Sequence, residues 1–161
     1  MTHPTRDHTL RAIAAEFGYD PDAAIQIGGH YAPIVIDGDL AWISGQIPRV
    51  GDVVRFTGVV GAELSVDDAR RAAAISTLRA LSLVLQRCGT LDVIAAVPRI
   101  TVYVRSAADF TQQSEVADGA SDLLFAVLGE VGVHTRTSVG VVQLPKGAAV
   151  EIDFTFRLGA T

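Results

Sequence analysis

The sequence contains a single cysteine, Cys88, and no cluster of basic residues. One thiol cannot form an intrachain disulfide, a CxxC pair or a thiolate metal cluster, which fits a reducing compartment. Thirteen Lys and Arg residues against 18 Asp and Glu give a net charge of -5, so the basic surface that nucleic acids require is missing. No apolar run reaches the ~20 residues of a membrane helix, and no secretory signal is recognisable. We therefore expect a cytoplasmic protein that binds neither nucleic acid nor membrane.

The composition is that of a globular domain. Hydrophobic residues make up 49% of the 161 residues and charged residues 19%, which allows one well-filled core. Residues 5–17 carry apolar side chains at helical spacing and precede the first predicted strand. We therefore predict an N-terminal helical extension over residues 1–27 and a single domain over residues 28–161.

The order of predicted elements indicates an α+β fold. Helices are predicted from Ser65, which forms a capping-box pattern with Asp68, to Cys88 and over residues 114–128. Strands are predicted over residues 31–36, 40–45, 53–57, 99–105, 136–143 and 148–158. This order favours a mixed sheet with the two long helices on one face. The other face, with Thr101 and Tyr103, has no helix to cover it, so we expect it to be buried against other copies of the chain in a closed homo-oligomer.

Arg136 and Glu151 are the candidate functional pair of the last two strands, which we predict to form an antiparallel hairpin. In that register the two residues lie some four positions apart, or roughly 13 Å at ~3.3 Å per residue. A site that uses both therefore needs other groups between them or one of the two from a neighbouring chain. On residue type alone another interpretation stays open, in which Arg136 starts an edge strand in solvent and Glu151 lies on a solvated face.

Three other residues have interpretations that do not involve catalysis. Cys88 flanks the apolar stripe of its helix and is interpreted as a structural thiol. Trp42 is interpreted as a core or interface residue, because it has no basic neighbours that would favour stacking on a nucleic-acid base. His134 is a candidate pocket-lining group. No His-x-x-x-His pair and no converging cysteines are present, so we expect no metal site.

An ordered set of short segments resembles a known family. These segments occur in sequence between residues 28 and 156: Tyr31-Ala32-Pro33, Ile43-Ser44-Gly45-Gln46-Ile47-Pro48, Gly58-Val59-Val60-Gly61, Val102-Tyr103-Val104, Asp109-Phe110, Arg136-Thr137-Ser138-Val139, Leu144-Pro145 and Val150-Glu151-Ile152. The set resembles the Rid family, the YjgF-like superfamily of enamine and imine deaminases that is also called endoribonuclease L-PSP. The Ser-Gly-Gln tripeptide alone is a weak signal, whereas the ordered set is specific.

The resemblance implies a chorismate-mutase-like fold and a homotrimer with its sites in the clefts between subunits. It implies hydrolysis of reactive 2-imino or 2-enamino acids to 2-keto acids and ammonia, without a cofactor. Arg136 would bind the substrate carboxylate through its planar guanidinium, and Glu151 would activate the attacking water. The resemblance assigns the pocket lining to Tyr31, Ser44, Gly45 and Ser138.

Two positions depart from the pattern of the family. Ser138 stands where well-known deaminases often have cysteine, which removes a reactive thiol but leaves a backbone carbonyl that can accept a hydrogen bond from water. Asp118 stands where many members have asparagine, and it would repel an anionic substrate or bind a different one. The alternative function is a non-catalytic trimer that binds a small carboxylate metabolite as a sensor or chaperone-like partner, for which Arg136 would serve equally. Ribonuclease activity is disfavoured by the acidic composition and the lack of a catalytic histidine pair.

Overall fold

The computed structural model describes residues 4–160, which form three helices and seven strands. The helices are α1 (Arg6–Glu16), α2 (Val66–Cys88) and α3 (Gln113–Leu128). The strands are β1 (Ile34–Asp37), β2 (Leu40–Gln46), β3 (Arg49–Val50), β4 (Val53–Val54), β5 (Ile94–Arg105), β6 (Thr135–Val141) and β7 (Val150–Leu158). Five of the strands form one mixed sheet in the order β1-β2-β7-β5-β6, and β3 and β4 pair separately as a short hairpin.

Helix α2 is the central helix, and both of its ends follow from the sequence. The Ser65 hydroxyl accepts a hydrogen bond from the Asp68 N–H, and the Asp68 carboxylate accepts one from the Ser65 N–H, both at 3.1 Å. Gly89 ends the helix in the left-handed region at φ +85°, and its N–H donates to the Leu85 carbonyl. A glycine tolerates this conformation without strain. The predicted capping box and the predicted end at Cys88 are confirmed.

The helices cover one face of the sheet, as predicted. The apolar residues of β5 and β7 that point toward the helices are fully buried: Ile100, Val102, Val104, Ile152, Phe154 and Phe156. Helix α1 packs on the same core, where Leu10 and Ala14 are fully buried. On the opposite face Thr101, Tyr103 and Asp153 stay partly exposed, and the Trp42 side chain is 51% exposed. Among residues 4–160 no helix covers this second face.

The predicted hairpin of the last two strands is wrong. Strand β5 lies between them, antiparallel to β7 and parallel to β6. Proximity along the chain favours a hairpin, but the apolar row of the long strand β5 is buried best in the middle of the sheet, with a strand on each side. The third predicted strand, over residues 53–57, is also wrong in extent, because only Val53–Val54 are extended and they pair with Arg49–Val50.

Candidate functional site

A pocket of about 380 Å³ lies where β2, β7 and the segment before β1 meet. Such a volume falls in the range of ~300–1,000 Å³ that is usual for small-molecule sites. The pocket contains four of the seven residues that the sequence singled out. Its lining consists of Gln26, Ile27, Gly28, Tyr31, Ser44, Gly45, Gln46, Ile47, Arg49, Arg79, Pro145, Lys146 and Glu151.

Gly45 lets the carboxylate of Glu151 lie against the backbone of β2. The register between β2 and β7 shifts between Ile43, which pairs with Phe154, and Gln46, which pairs with Ile152. A β-bulge of this kind bends the strand locally and re-aims side chains. A Cβ atom added at Gly45 would overlap the Glu151 Oε1 atom and lie 2.8 Å from its Cδ. The place that a side chain would take at position 45 is therefore occupied by the Glu151 carboxylate.

Burial raises the pKa of Glu151, and the nearby Asp153 carboxylate raises it further. Both effects disfavour the charged form, the first by desolvation and the second by repulsion of like charges. A carboxylate with a raised pKa is a stronger base than an ordinary glutamate and exchanges protons closer to neutral pH. Glu151 is thus suited to accept a proton from a water molecule bound in the pocket.

Arg79 contributes a buried positive charge to the same pocket. Its side chain comes from α2 and is 6% exposed. The guanidinium donates hydrogen bonds to Gln46 Oε1 at 3.1 Å, to the Arg49 carbonyl at 3.2 Å and to the Gln26 carbonyl at 3.1 Å. Burial lowers the pKa of Arg79, and Arg49 lowers it further, whereas Tyr19 and Tyr31 raise it. Sequence reasoning missed this residue, although an arginine between Leu78 and Ala80 in an apolar helix was a signal.

The other three predicted site residues lie at the sheet edge beside α3. Arg136, on β6, donates from Nη1 to Ser121 Oγ at 2.8 Å and from Nη2 to the Ser114 carbonyl at 3.0 Å. Its Nη2 also lies 2.8 Å from Asp118 Oδ1 in an ion pair. Ser138 follows two residues later on the same strand and is partly exposed. None of the three lines the pocket that contains Glu151.

Arg136 and Glu151 point to opposite faces of the sheet. Arg136 pairs with Ile100, and Glu151 pairs with Tyr103 three residues further along β5. Residues that pair across neighbouring strands point to the same face of the sheet, and residues an odd number of positions apart along one strand point to opposite faces. Arg136 is therefore on the helix side and Glu151 on the uncovered side. The two cannot act on one small molecule within a single chain.

His134 supports the position of Arg136 through a serine hydroxyl. The His134 Nδ1 atom lies 2.6 Å from the Gly132 carbonyl oxygen, so Nδ1 carries a proton and donates it. In the neutral imidazole the Nε2 atom then accepts from Ser121 Oγ, 2.8 Å away. The same Oγ accepts from Arg136. His134 does not line the pocket that contains Glu151.

Between residues 4 and 160, no three His, Cys, Asp or Glu side chains come together in a way that could hold a metal ion. No helix in the described part of the chain has the length and hydropathy needed to cross a bilayer.

Comparison with known proteins gives clear similarity over nearly the whole chain. The model of a family described as YjgF/chorismate mutase-like, putative endoribonuclease matches residues 9–151. The protein TCP17 of Trypanosoma cruzi is 42% identical over 150 residues, which cover 92% of this chain and 94% of that protein. The matched segment of the family model includes every candidate site residue, from Tyr31 to Glu151.

Two crystal structures are similar to this protein along nearly the whole chain. A protein of unknown function from Agrobacterium tumefaciens is 33% identical with a TM-score of 0.84, covering 96% of this chain and 95% of that one. A structure from Shewanella oneidensis with an endoribonuclease description is 25% identical with a TM-score of 0.87, covering 96% of this chain and 100% of that one. Both likenesses extend over α1 as well as the sheet, since so little of this chain is left unmatched.

Proposed function

The chain belongs to the YjgF/chorismate mutase-like family, and on this basis we propose that it hydrolyses 2-imino and 2-enamino acids to 2-keto acids and ammonia in the cytoplasm. The observation that carries the proposal is the Glu151 carboxylate, which is half-buried in a pocket with Tyr31, Ser44 and Gly45. These four residues are among those that the family resemblance assigns to the site.

In this proposal Glu151 handles the protons of the reaction. Its carboxylate accepts a proton from a water molecule while the water oxygen attacks the imine carbon, which gives a tetrahedral carbinolamine. Glu151 gives this proton to the nitrogen, which becomes the amine of the carbinolamine. A second proton then moves from the carbinolamine hydroxyl to the nitrogen through the same carboxylate, the carbon–nitrogen bond breaks, and ammonia leaves as the carbonyl of the 2-keto acid forms. One water molecule is consumed for each imine, and the reaction involves no oxidation or reduction. Because imines are reactive, positioning of the water and the substrate supplies much of the rate enhancement.

The substrate carboxylate would be bound by Arg136 of a neighbouring subunit. Within one chain Arg136 is on the helix side of the sheet and outside the pocket, so a site that uses both residues has to form between chains. Tyr31 of the pocket rim is 49% exposed, and Trp42 and Val35 are exposed on the uncovered face of the sheet. Large apolar side chains exposed together often mark an interface. We propose a homotrimer in which this face is buried.

Deaminase activity can be measured directly. An amino-acid oxidase generates the imine, semicarbazide traps it, and an active deaminase slows formation of the semicarbazone. We expect wild type to be active and Glu151→Gln to lose about 10²–10⁴-fold in kcat, the usual contribution of a general base. The exposed Glu130→Gln variant is the matched control and should keep its activity. Glu151→Gln with wild-type turnover would refute the assignment.

The alternative is a non-catalytic binder of a small carboxylate metabolite, and the ion pair of Arg136 with Asp118 affects it in the same way as it affects the deaminase. The Arg136 guanidinium is paired with Asp118 in the single chain, which weakens its attraction for a substrate carboxylate. A sensor of a small carboxylate would bind 2-keto acids without any imine turnover in wild type. Absence of turnover together with unchanged 2-keto acid affinity in Glu151→Gln would establish this alternative over the deaminase.

A further inference from the structure

The pocket carries more positive charge than hydrolysis of a simple imino acid requires. Its lining includes three cationic residues, Arg49, Arg79 and Lys146, and one carboxylate, Glu151. Within the described residues neither Arg49 nor Arg79 forms an ion pair with a carboxylate. An excess of two positive charges in a concave, partly desolvated site favours an anionic ligand. A ligand with two negative charges would balance this excess.

Arg79 is held rigidly but keeps donors free. Its three hydrogen bonds all go to neutral oxygens, of Gln46, Arg49 and Gln26, so its charge is not compensated. A guanidinium has five N–H groups, which leaves two for a ligand. The three hydrogen-bond partners of Arg79 lie on β2, on β3 and on the segment before β1. Because all three are part of the folded chain, the Arg79 side chain is held in place before any ligand binds.

Arg49 is the second cationic residue of the proposed subsite, and one of its donors lacks an acceptor. Its Nε atom is buried and has no hydrogen-bond partner among residues 4–160. A buried donor without an acceptor is costly, and in native structures it usually has a reason. The charge of Arg49 is also close enough to Arg79 to lower the pKa of Arg79. Two like charges that face one cavity are stabilised together when an anion binds between them.

We propose that Arg49 and Arg79 bind a second carboxylate, carried on the side chain of the substrate, so that the preferred substrates are dicarboxylic 2-imino acids. The inference rests on the proposed deaminase function and names its substrate class. Glu151 then activates the water that attacks the imine carbon, and the two arginines bind the carboxylate at the other end of the substrate. The N-terminal extension takes part, since its last two residues, Gln26 and Ile27, line the pocket together with the arginines.

Binding of stable 2-keto acids tests the subsite without requiring turnover. Isothermal titration calorimetry would compare 2-oxoglutarate, which has a side-chain carboxylate, with 2-oxobutanoate, which has none. We expect wild type to bind 2-oxoglutarate at least about tenfold more tightly, as charge-assisted hydrogen bonds imply. Arg49→Gln should reduce this preference to within about twofold, and Arg49→Lys should restore part of it. Arg55→Gln, an exposed arginine outside the pocket, removes the same charge and should keep the full preference.

The outcomes separate this inference from the function on which it rests. Equal affinity of wild type for the two keto acids, or an undiminished preference in Arg49→Gln, overturns the subsite. The same oxidase-coupled assay with glutamate and with 2-aminobutyrate as imine sources then tests catalysis. Turnover of both imines at equal kcat/KM would support the deaminase function and refute the subsite. A preference for 2-oxoglutarate that depends on Arg49, with no turnover of either imine, would support the subsite and refute the deaminase function.

Discussion

Arg136 Nη2 lies 2.8 Å from Asp118 Oδ1, so the arginine that the sequence assigns to the substrate carboxylate already has a carboxylate partner in its own chain. Two serines and a backbone carbonyl complete its hydrogen bonds. The pair is partly exposed, with 22% of the Arg136 side chain and 44% of the Asp118 side chain accessible. Asp118 therefore competes with any anionic substrate for Arg136, and the competition is screened by solvent.

Asp118→Asn should strengthen binding of an anionic ligand at Arg136. Removal of the competing charge frees the guanidinium while the amide can still hold it in place. Exposed ion pairs contribute about 0.2–1 kcal/mol, so we expect KM for the imine to fall by about two- to fivefold. Asp122→Asn is the control, because Asp122 lies on the same helix and pairs with Arg70 at 2.9 Å. A rise in KM in Asp118→Asn would show that the aspartate orients the arginine instead of competing for it.

Glu151→Gln should stabilise the fold at neutral pH while it removes activity. The pKa of Glu151 is raised by burial, so folding favours its protonated form. The stabilisation from this group is complete below the ordinary value of about 4.3 and is lost as the pH rises through the raised pKa. Glutamine never ionises. The gain in Tm should therefore be near zero at about pH 4 and reach about 1–3 °C at pH 7.5.

Thermal unfolding of both proteins across this pH range provides the measurement. The exposed Glu130→Gln variant should match wild type at both ends of the range. A Tm of Glu151→Gln below that of wild type at pH 7.5 would mean that a cation from a neighbouring subunit stabilises the ionised carboxylate.

Local sequence signals predicted the elements well and their arrangement less well. The capping box of Ser65 and Asp68 and the stop at Gly89 specify α2 through hydrogen bonds a few residues apart. The place of β5 between β6 and β7 depends on how much apolar surface each strand buries against α2 and α3, which no local pattern records. Proximity in sequence therefore led to a hairpin that the sheet does not contain.

In the candidate site, too, the sequence predicted the residues that belong to local motifs and missed those that only packing brings together. Tyr31, Ser44, Gly45 and Glu151 come from motifs of the family resemblance, and the structure brings them into one pocket. Arg49 and Arg79 carry no motif, and their meeting depends on the packing of α2 against β2 and β3. The sequence also could not reveal that Arg136 and Glu151 occupy opposite faces, because that follows from the pairing of both strands with β5.

Trp42→Asp should disrupt the proposed trimer. Trp42 is the single tryptophan of the chain and is 51% exposed on the uncovered sheet face, where a charge would be buried by a neighbouring subunit at high cost. Light scattering after size exclusion should give about 51 kDa for wild type, three times the 17.0 kDa of one chain, and a lower mass for the variant. Val53→Asp, on the separate hairpin, should keep the wild-type mass. A wild-type mass of 17.0 kDa would refute the trimer.

Gly45→Ala should lower activity because it moves the Glu151 carboxylate, although no charged or polar group is removed. The added Cβ would overlap Oε1 and lie 2.8 Å from Cδ of Glu151, and a displacement of about 1 Å can cost about 100-fold in rate. Gly28→Ala is a close control, since Gly28 lines the same pocket and a Cβ there meets nothing within 4 Å. We expect kcat to fall by about 10–100-fold in Gly45→Ala and to stay unchanged in Gly28→Ala. Equal activity of the two variants would show that catalysis does not depend on the carboxylate lying against β2, and the role given to Glu151 would have to be abandoned.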